Sequence, residues 1–242
     1  MARIAPSSGA GASAHARYRQ EWAADRTQRL LVRGGLALAV AVVLAALIDW
    51  RAGLAGGALA ALADTVYRWR THEAVRTWRR GALGERRTAR RLRLLSTLGY
   101  AVLHDRRLPH GRANVDHLVI GPTGVFVLDS KQWRPDAHVR RARGGVRRGR
   151  VFTDADTRAL IYEARAVSRA LTAAYGARVE AVPILAVHGP HVPRKGITLS
   201  SGTHVLRPSL LATWILRYGP RLDRDEVTRL QQAAERAFPP YL

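Results

Sequence analysis

Cysteine is absent from the 242 residues, so the chain can hold no disulfide, no thiolate metal site and no cysteine nucleophile. Acidic residues are scarce: 18 Asp and Glu stand against 40 Lys and Arg, a formal net charge of +22. Lysine is nearly missing as well, with Lys131 and Lys195 the two in the chain, so the positive charge is almost wholly arginine. A GC-rich coding sequence explains arginine over lysine as well as any function does. The excess itself points to polyanionic partners, either nucleic-acid phosphates or anionic lipid headgroups, and composition does not choose between them. Hydrophobic residues make up 47% of the chain, enough for a buried core, which excludes disorder along its whole length.

Charge then vanishes in two stretches. Residues 34–48 and 52–63 carry no charged side chain, and Asp49, Trp50 and Arg51 separate them. Residues 1–29, before them, read as a disordered basic leader. Extended outward to Leu31 and Tyr67, the arms are 18 and 16 residues long; as helix this is about 24 to 27 Å, against a hydrocarbon core of about 30 Å. Arg26, Arg29 and Arg33 precede the first arm, and Arg68, Arg70, Arg76, Arg79 and Arg80 follow the second. Both outer ends therefore carry the charge expected on a cytoplasmic face. The expectation is a transmembrane helical hairpin over residues 30–68 in the cell membrane, followed by a basic linker over 69–80. The alternative of the same length is a buried hairpin of a soluble protein. Ala61-Leu62-Ala63 resembles a signal-peptide cleavage site, but the long basic lead-in argues against cleavage. Asp64 reads as a hydrated helix end.

Beyond Arg80 the pattern is that of a globular α/β domain, expected over residues 81–206, with C-terminal helices over 207–242. Helical periodicity runs over 83–98 and stops at Gly99. Strand-like runs follow at 101–103, 115–120 and 125–128, the last two joined by Gly121-Pro122-Thr123-Gly124. An Arg-rich hairpin is expected over 138–150 with its turn at Gly144-Gly145, pairing Arg141 with Arg148. A helix over 157–175, strands over 179–187 and near Val205, and helices over 210–217 and 225–237 complete the chain.

The simplest register of the 121–124 hairpin sets Ile120 against Val125, Leu118 against Val127 and Asp116 against Asp129. Two carboxylates directly opposed repel, so the arrangement calls for compensation. Alternation puts Lys131 on the same face as Asp129, diagonal to Asp116. A divalent cation would supply the remaining positive charge, since two carboxylates with waters and phosphate oxygens are the usual sparse protein share of a Mg²⁺ site. The apolar neighbours Leu118, Ile120, Val125 and Val127 imply a buried face, where charge has a purpose. On the preceding helix Glu85 lies on a stripe with Ala89, Leu92 and Leu95 or Ser96, while Arg86, Arg87, Arg90, Arg91 and Arg93 point away. A first-turn acid favoured by the helix dipole is the plain alternative for Glu85.

Gly84-Glu85 on a helix, followed by Asn114-Val115-Asp116-His117 and Val127-Leu128-Asp129-Ser130-Lys131-Gln132-Trp133 around the Gly121 to Gly124 turn, resembles the nuclease-related domain (NERD), a branch of the PD-(D/E)XK nuclease superfamily. The resemblance is specific over 81–133 and looser to Val187; it leaves out the apolar hairpin and the C-terminal helices. It implies a restriction-endonuclease-like mixed sheet flanked by helices and a catalytic set of Glu85, Asp116, Asp129 and Lys131. In that set Asp116 and Asp129 hold Mg²⁺ or Mn²⁺, and Lys131 positions or activates water. Family members often carry Gln on the helix after the catalytic sheet; here that stretch offers Tyr162 or Glu163.

The resemblance and the charge together lead to a membrane-anchored protein that hydrolyses phosphodiester bonds of DNA or RNA on the cytoplasmic face, with no small-molecule cofactor. Its expected partners are nucleic acid and, through the hairpin and its flanking arginines, membrane lipid. Arg86, Arg90, Arg140, Arg141, Arg147 and Arg148 are the expected phosphate contacts. The alternative is a catalytically inactive nucleic-acid-binding module or scaffold at the membrane. His188 and His191, three apart in a Gly/Pro loop, lack a third ligand for zinc. His117, Phe126 and Trp133 read as packed residues, and Asp154 and Asp156 as loop or capping residues.

Overall fold

A computed structural model describes residues 26–71, 73–109, 113–133, 135, 138–142, 145–148, 151–152, 154–219 and 221–241. The leader expected over 1–29 lies outside the described residues as far as 25. The side chains of Arg26, Arg29, Arg68, Arg70, Arg76, Arg79 and Arg80 lie outside them too. The described chain divides into two compact units, one ending at Arg79 and the other beginning at Arg80.

In the first unit α1 (Arg26–Leu47) and α2 (Trp50–Thr71) form a hairpin. Asp49 starts α2 by accepting the Ala52 amide proton on Oδ1 at 2.7 Å, the service an acid at a helix N-cap performs. Small residues let the helices approach closely. A Cβ added to Gly53 would lie 2.6 Å from the Ala41 carbonyl oxygen, and one on Gly57 2.9 Å from that of Ala37. The leucines face outward instead: Leu38, Leu54 and Leu59 are each 65% exposed. Asp64 is not the hydrated helix end that its position at the end of the apolar arm implies. Its carboxylate, 9% exposed, pairs with Arg33 Nε at 3.3 Å, closing the open end of the hairpin.

The two arms differ as membrane segments. Leu30–Leu47 is long and apolar enough to cross a bilayer, with a mean hydropathy of 2.4 and none of it buried. Among the described residues it is the one helix that is, so a second span is not seen. Helix α2 falls short because glycine and alanine, with Arg51 and Asp64, replace the Leu and Val of α1.

The second unit is built on a mixed six-stranded sheet of order β1-β2-β3-β7-β9-β8. Its strands are β1 (Ala101–Arg107), β2 (Asn114–Gly121), β3 (Gly124–Gln132), β7 (Ala181–His188), β8 (Ile197–Thr198) and β9 (His204–Leu206). The first three form an antiparallel meander, β7 runs parallel to β3, and β9 runs parallel to β7. The long return from β3 to β7 contains a small sheet, β4 (Val139–Ala142), β5 (Gly145–Arg148) and β6 (Val151–Phe152), and then helix α4 (Asp154–Tyr175). A parallel pair requires such a crossover.

Period-two alternation sorts the core into two layers. Leu118, Ile120, Val125 and Val127 pack with Leu160, Val167 and Leu171 of α4 and with Val227 and Leu230 of α6 (Arg224–Ala237). Val119, Phe126 and Leu128 face the other way, onto Leu92 and Leu95 of α3 (Glu73–Thr97) and Leu211 and Ile215 of α5 (Leu211–Leu216). Each such side chain contributes about 1.5–3 kcal/mol of burial. Helix α6 begins with a reciprocal capping box between Asp223 and Glu226.

The 121–124 register is as expected, Ile120 opposite Val125 and Leu118 opposite Val127. The arginine hairpin differs: Arg141 pairs with Val146, and it is Arg140 that faces Arg147. This places the connection one residue earlier than a Gly144-Gly145 turn, at 143–144, which lies outside the described residues. The C-terminal helices belong to the second unit, and Phe238 is fully buried in its core. The chain after α6 also covers the β1 edge, with Arg107 N–H donating to the Pro239 carbonyl at 2.9 Å and Tyr241 N–H to that of Asp105 at 3.0 Å. An exposed edge strand invites unwanted pairing, and this segment shields it.

Candidate active site

The meander brings acids from separate elements to one end of the sheet. The β2–β3 ladder ends at His117 opposite Leu128, one pair short of the expected confrontation of Asp116 with Asp129. Asp116 uses its carboxylate instead, with Oδ2 accepting the Ser130 amide proton at 3.0 Å. Asp129 and Lys131, two apart on β3, meet at 2.9 Å between Oδ2 and Nζ, and Lys131 also lies 3.9 Å from Asp156 Oδ1. The expected diagonal partnership of Lys131 with Asp116 is an electrostatic one, while its direct contact is Asp129.

On α3 the buried stripe is Gly84, Thr88, Leu92 and Leu95, so Glu85 sits at its margin, half-buried. Burial raises the Glu85 carboxyl to about 7, reinforced by Asp105 and Asp129 and opposed by Lys131 and Arg86. Asp116 is pushed well above the usual carboxylate range, first by burial and then by Glu85 and Asp129, against Lys131 and the Ser130 amide. Burial pulls the Lys131 ammonium down, but Asp129, Asp116 and Asp156 together carry it above its ordinary value. Glu85, Asp116 and Lys131 thus lie within reach of one another's charge from α3, β2 and β3, and Asp129 joins them through its contact with Lys131. Like charges this close cannot all ionise freely.

Two further acids of α4 join them. Glu163, half-buried, is raised to about 8 by burial and then by Asp129, with Lys131 opposing. Tyr162 is 53% exposed, so of the two candidates at that position the site receives the acid. Asp156, read from sequence as a loop or capping residue, instead approaches Lys131. The signal for both was their spacing: Asp156 and Glu163 are seven apart, on one side of a helix whose buried stripe is Leu160, Ala164, Val167 and Leu171. The Asp154 side chain is outside the described set. Asp105, 1% exposed with a φ of +50°, was not foreseen either. It accepts from Asn114 Nδ2 at 3.0 Å and acts on Glu85 from β1.

A line of buried and half-buried polar groups links β1, β2, β3, α3 and β7. His104 and His117 meet through their Nδ1 atoms at 2.8 Å; the Ser130 hydroxyl lies 3.4 Å from His117 Nε2 and donates to Thr88 Oγ1 at 2.8 Å; Thr88 then meets His188 Nε2 at 2.9 Å. His117 is thus the packed histidine its position implied, held well below its ordinary value by burial, His104 and His188. Phe126 and Trp133 are buried as expected. His188 and His191 serve different partners, Thr88 and Arg207, so they are not a metal pair.

The arginines expected to contact phosphate lie on α3, β4 and β5. Arg86 and Arg90 are exposed on α3, and Arg140, Arg141 and Arg147 are exposed on β4 and β5; the Arg148 side chain is outside the described set. Among the described residues no three His, Asp or Glu form a ready-made metal cage. The donor chemistry nonetheless suits a hard divalent cation: every candidate ligand is a carboxylate oxygen, and one ammonium faces several acids. Two carboxylates, with water and phosphate oxygens completing the shell, is a familiar Mg²⁺ arrangement.

Residues 80–188 match the family model described as nuclease-related domain. That span begins at the unit boundary and contains Glu85, Asp116, Asp129, Lys131, Asp156 and Glu163. No curated protein and no solved structure is matched by the chain.

Proposed function

We propose, from the match of residues 80–188 to the nuclease-related domain, that the protein is a membrane-attached, metal-dependent nuclease that hydrolyses phosphodiester bonds of DNA or RNA on the cytoplasmic face. The observation that carries the reading is the convergence, within that domain, of Asp116, Asp129, Glu85 and Lys131. Asp116 and Asp129 would hold Mg²⁺ or Mn²⁺, which when bound neutralises charge on the scissile phosphate and acidifies water. Lys131, already oriented by Asp129, presents an ammonium to a phosphate oxygen or to the attacking water. Glu163 and Glu85, raised to about 8 and about 7, retain protons near neutrality, so either has one to offer the departing oxygen. The exposed arginines of α3, β4 and β5 would hold the strand by its phosphates without reading sequence.

Membrane attachment draws support from α1, apolar over Leu30–Leu47 with its side chains unburied, and from a hairpin with glycines inside and leucines outside. That is the inverse of a soluble helical pair and the pattern of helices packed in lipid. In the two-span form both ends of the hairpin lie in the cytoplasm, and reporter fusions before α1 and after the domain test this; an external terminus refutes it.

A second reading, nucleic-acid binding without catalysis, is favoured by one observation, the lack of a three-ligand cage among the described residues. Strand scission by the purified chain separates the two. Cleavage that appears with Mg²⁺ or Mn²⁺ and stops with EDTA supports the enzyme, whereas a folded protein that binds strands and leaves them intact supports the module.

A further inference from the structure

Alternation along β3 sends Lys131 to the α4 side of the sheet and Gln132 to the α3 side. On the α3 side a cavity of about 580 Å³ opens between α3, the end of β7 and the turn at Pro208. Its walls include Arg87, Arg90, Arg91 and Arg207, with His188 and Ser209, and no acidic residue lines it among the described residues. Among the described residues none of the four arginines forms an ion pair.

Two of them are held by partners that carry no negative charge. Arg87 Nη1 donates to Gln132 Oε1 at 3.2 Å. Arg207 Nε donates to the Val192 carbonyl, and its Nη2 lies 3.0 and 3.1 Å from the two ring nitrogens of His191. The field of this wall is felt by His188, whose imidazole is pushed down to about 4 by burial and then by Arg87 and Arg91. His188 is therefore neutral at physiological pH, with Nε2 on Thr88. Arginines on a convex solvated face spread apart, but here a concave wall gathers four uncompensated guanidinium groups, which favours an anion. Their planar donor forks match phosphate oxygens. The cavity is of the size that holds a small molecule.

We propose that this cavity binds a terminal phosphate monoester, either that of a nucleic-acid strand end or that of a free nucleotide. A monoester carries close to two negative charges at neutral pH, whereas a phosphate within a strand carries one and arrives with chain on both sides. Four arginines with no acid among the described lining residues suit the doubly charged end better than a singly charged internal phosphate. The strand-end form deepens the nuclease reading and rests on it, while binding measured without metal does not.

The test uses the full chain in detergent and EDTA, so that no cleavage intervenes. Fluorescence anisotropy compares one oligodeoxynucleotide with a 5′ phosphate, a 3′ phosphate or hydroxyl ends, with a nucleoside 5′-monophosphate and inorganic phosphate as competitors. A phosphorylated end is expected to bind about tenfold more tightly than hydroxyl ends, in line with one or two charge-assisted contacts. Arg91→Gln with Arg207→Gln removes that preference, and Arg169→Gln with Arg178→Gln, a charge-matched pair exposed outside the cavity, keeps it. Arg90→Gln with Arg91→Gln, both exposed on α3, gives the same loss should the first pair fail to fold. Saturable mononucleotide binding without an end preference, lost in the same variants, assigns the cavity to free nucleotides. Equal affinity for all ends with no nucleotide or phosphate binding overturns the proposal, as does a preference that survives both double variants. Absence of hydrolysis in a separate assay with metal would leave these results standing, so the two readings fail separately.

Discussion

Glu163→Gln isolates the electrostatic strain of the acid cluster. The carboxyl ordinarily titrates at 4.5 and here at about 8, so between those values the native state keeps a proton that the unfolded chain releases. Stability then falls as pH rises through this window and levels off above about 8. A separation of about 3.5 at about 1.4 kcal/mol each sets an upper bound near 5 kcal/mol. Water entering the half-buried site reduces it, and about 2–4 kcal/mol is the expectation. Glutamine retains the shape and cannot ionise. Wild type and variant should therefore be nearly equal in stability at pH 4, and the variant should be more stable by that amount at pH 8.5. The assay is urea unfolding in EDTA, followed by tryptophan fluorescence, which Trp133 and Trp214 report from within the unit. A gap that is the same at both pH values, or a variant less stable at pH 8.5, refutes the reasoning.

Further expectations concern metal, packing and charge. Glu85 and Asp116 are raised like Glu163, so Mg²⁺ should raise the unfolding temperature more at pH 8.5 than at pH 5, and Asp116→Asn with Asp129→Asn should abolish that increment. Gly57→Ile, whose Cβ would meet the Ala37 carbonyl at 2.9 Å, should force the helices of the hairpin apart and cost about 1–3 kcal/mol in thermal unfolding; an unchanged midpoint would show that the helices do not pack through this face. Phe238→Ala should cost about 3–5 kcal/mol, because the side chain is fully buried, whereas an appendage would tolerate it. Arg140, Arg141 and Arg147 changed together to Gln should make the dependence of log affinity on log salt shallower, by about 0.9 for each phosphate that the variant no longer neutralises.

Local signals in this chain were readable, and long-range ones were not. The Gly121 to Gly124 turn and its alternating neighbours dictate the β2–β3 register, which in turn places Asp129 and Lys131 on one face. The end of that ladder was not readable. Asp116 escapes a carboxylate opposite by taking the Ser130 amide, which depends on where the strands part. Strand β1 runs four residues past its apolar start because the segment after α6, more than 130 positions later in the sequence, covers Asp105 and Arg106. Nothing near His104 to Arg107 announces that cover. Asp156 and Glu163 sat in view on a periodic helix, but only the fold shows that this side of α4 turns to Lys131. In the hairpin, absence of charge marked both arms equally, and the distinction between Leu-rich α1 and Gly-rich α2 rests on hydropathy and packing.

The central claim is that Asp129 and Lys131, with Asp116 and Glu85, form a phosphodiesterase site. Its most direct test is single-turnover cleavage of plasmid, linear DNA and RNA by the purified full chain with Mg²⁺ or Mn²⁺, beside Asp129→Asn and Lys131→Met of matched unfolding temperature. The account predicts metal-dependent scission by the native chain and a loss of at least about 10²-fold in each variant, the scale of a removed electrostatic contact to the transition state. Scission that persists undiminished in Asp129→Asn, or none by a folded chain that binds both metal and strand, contradicts it.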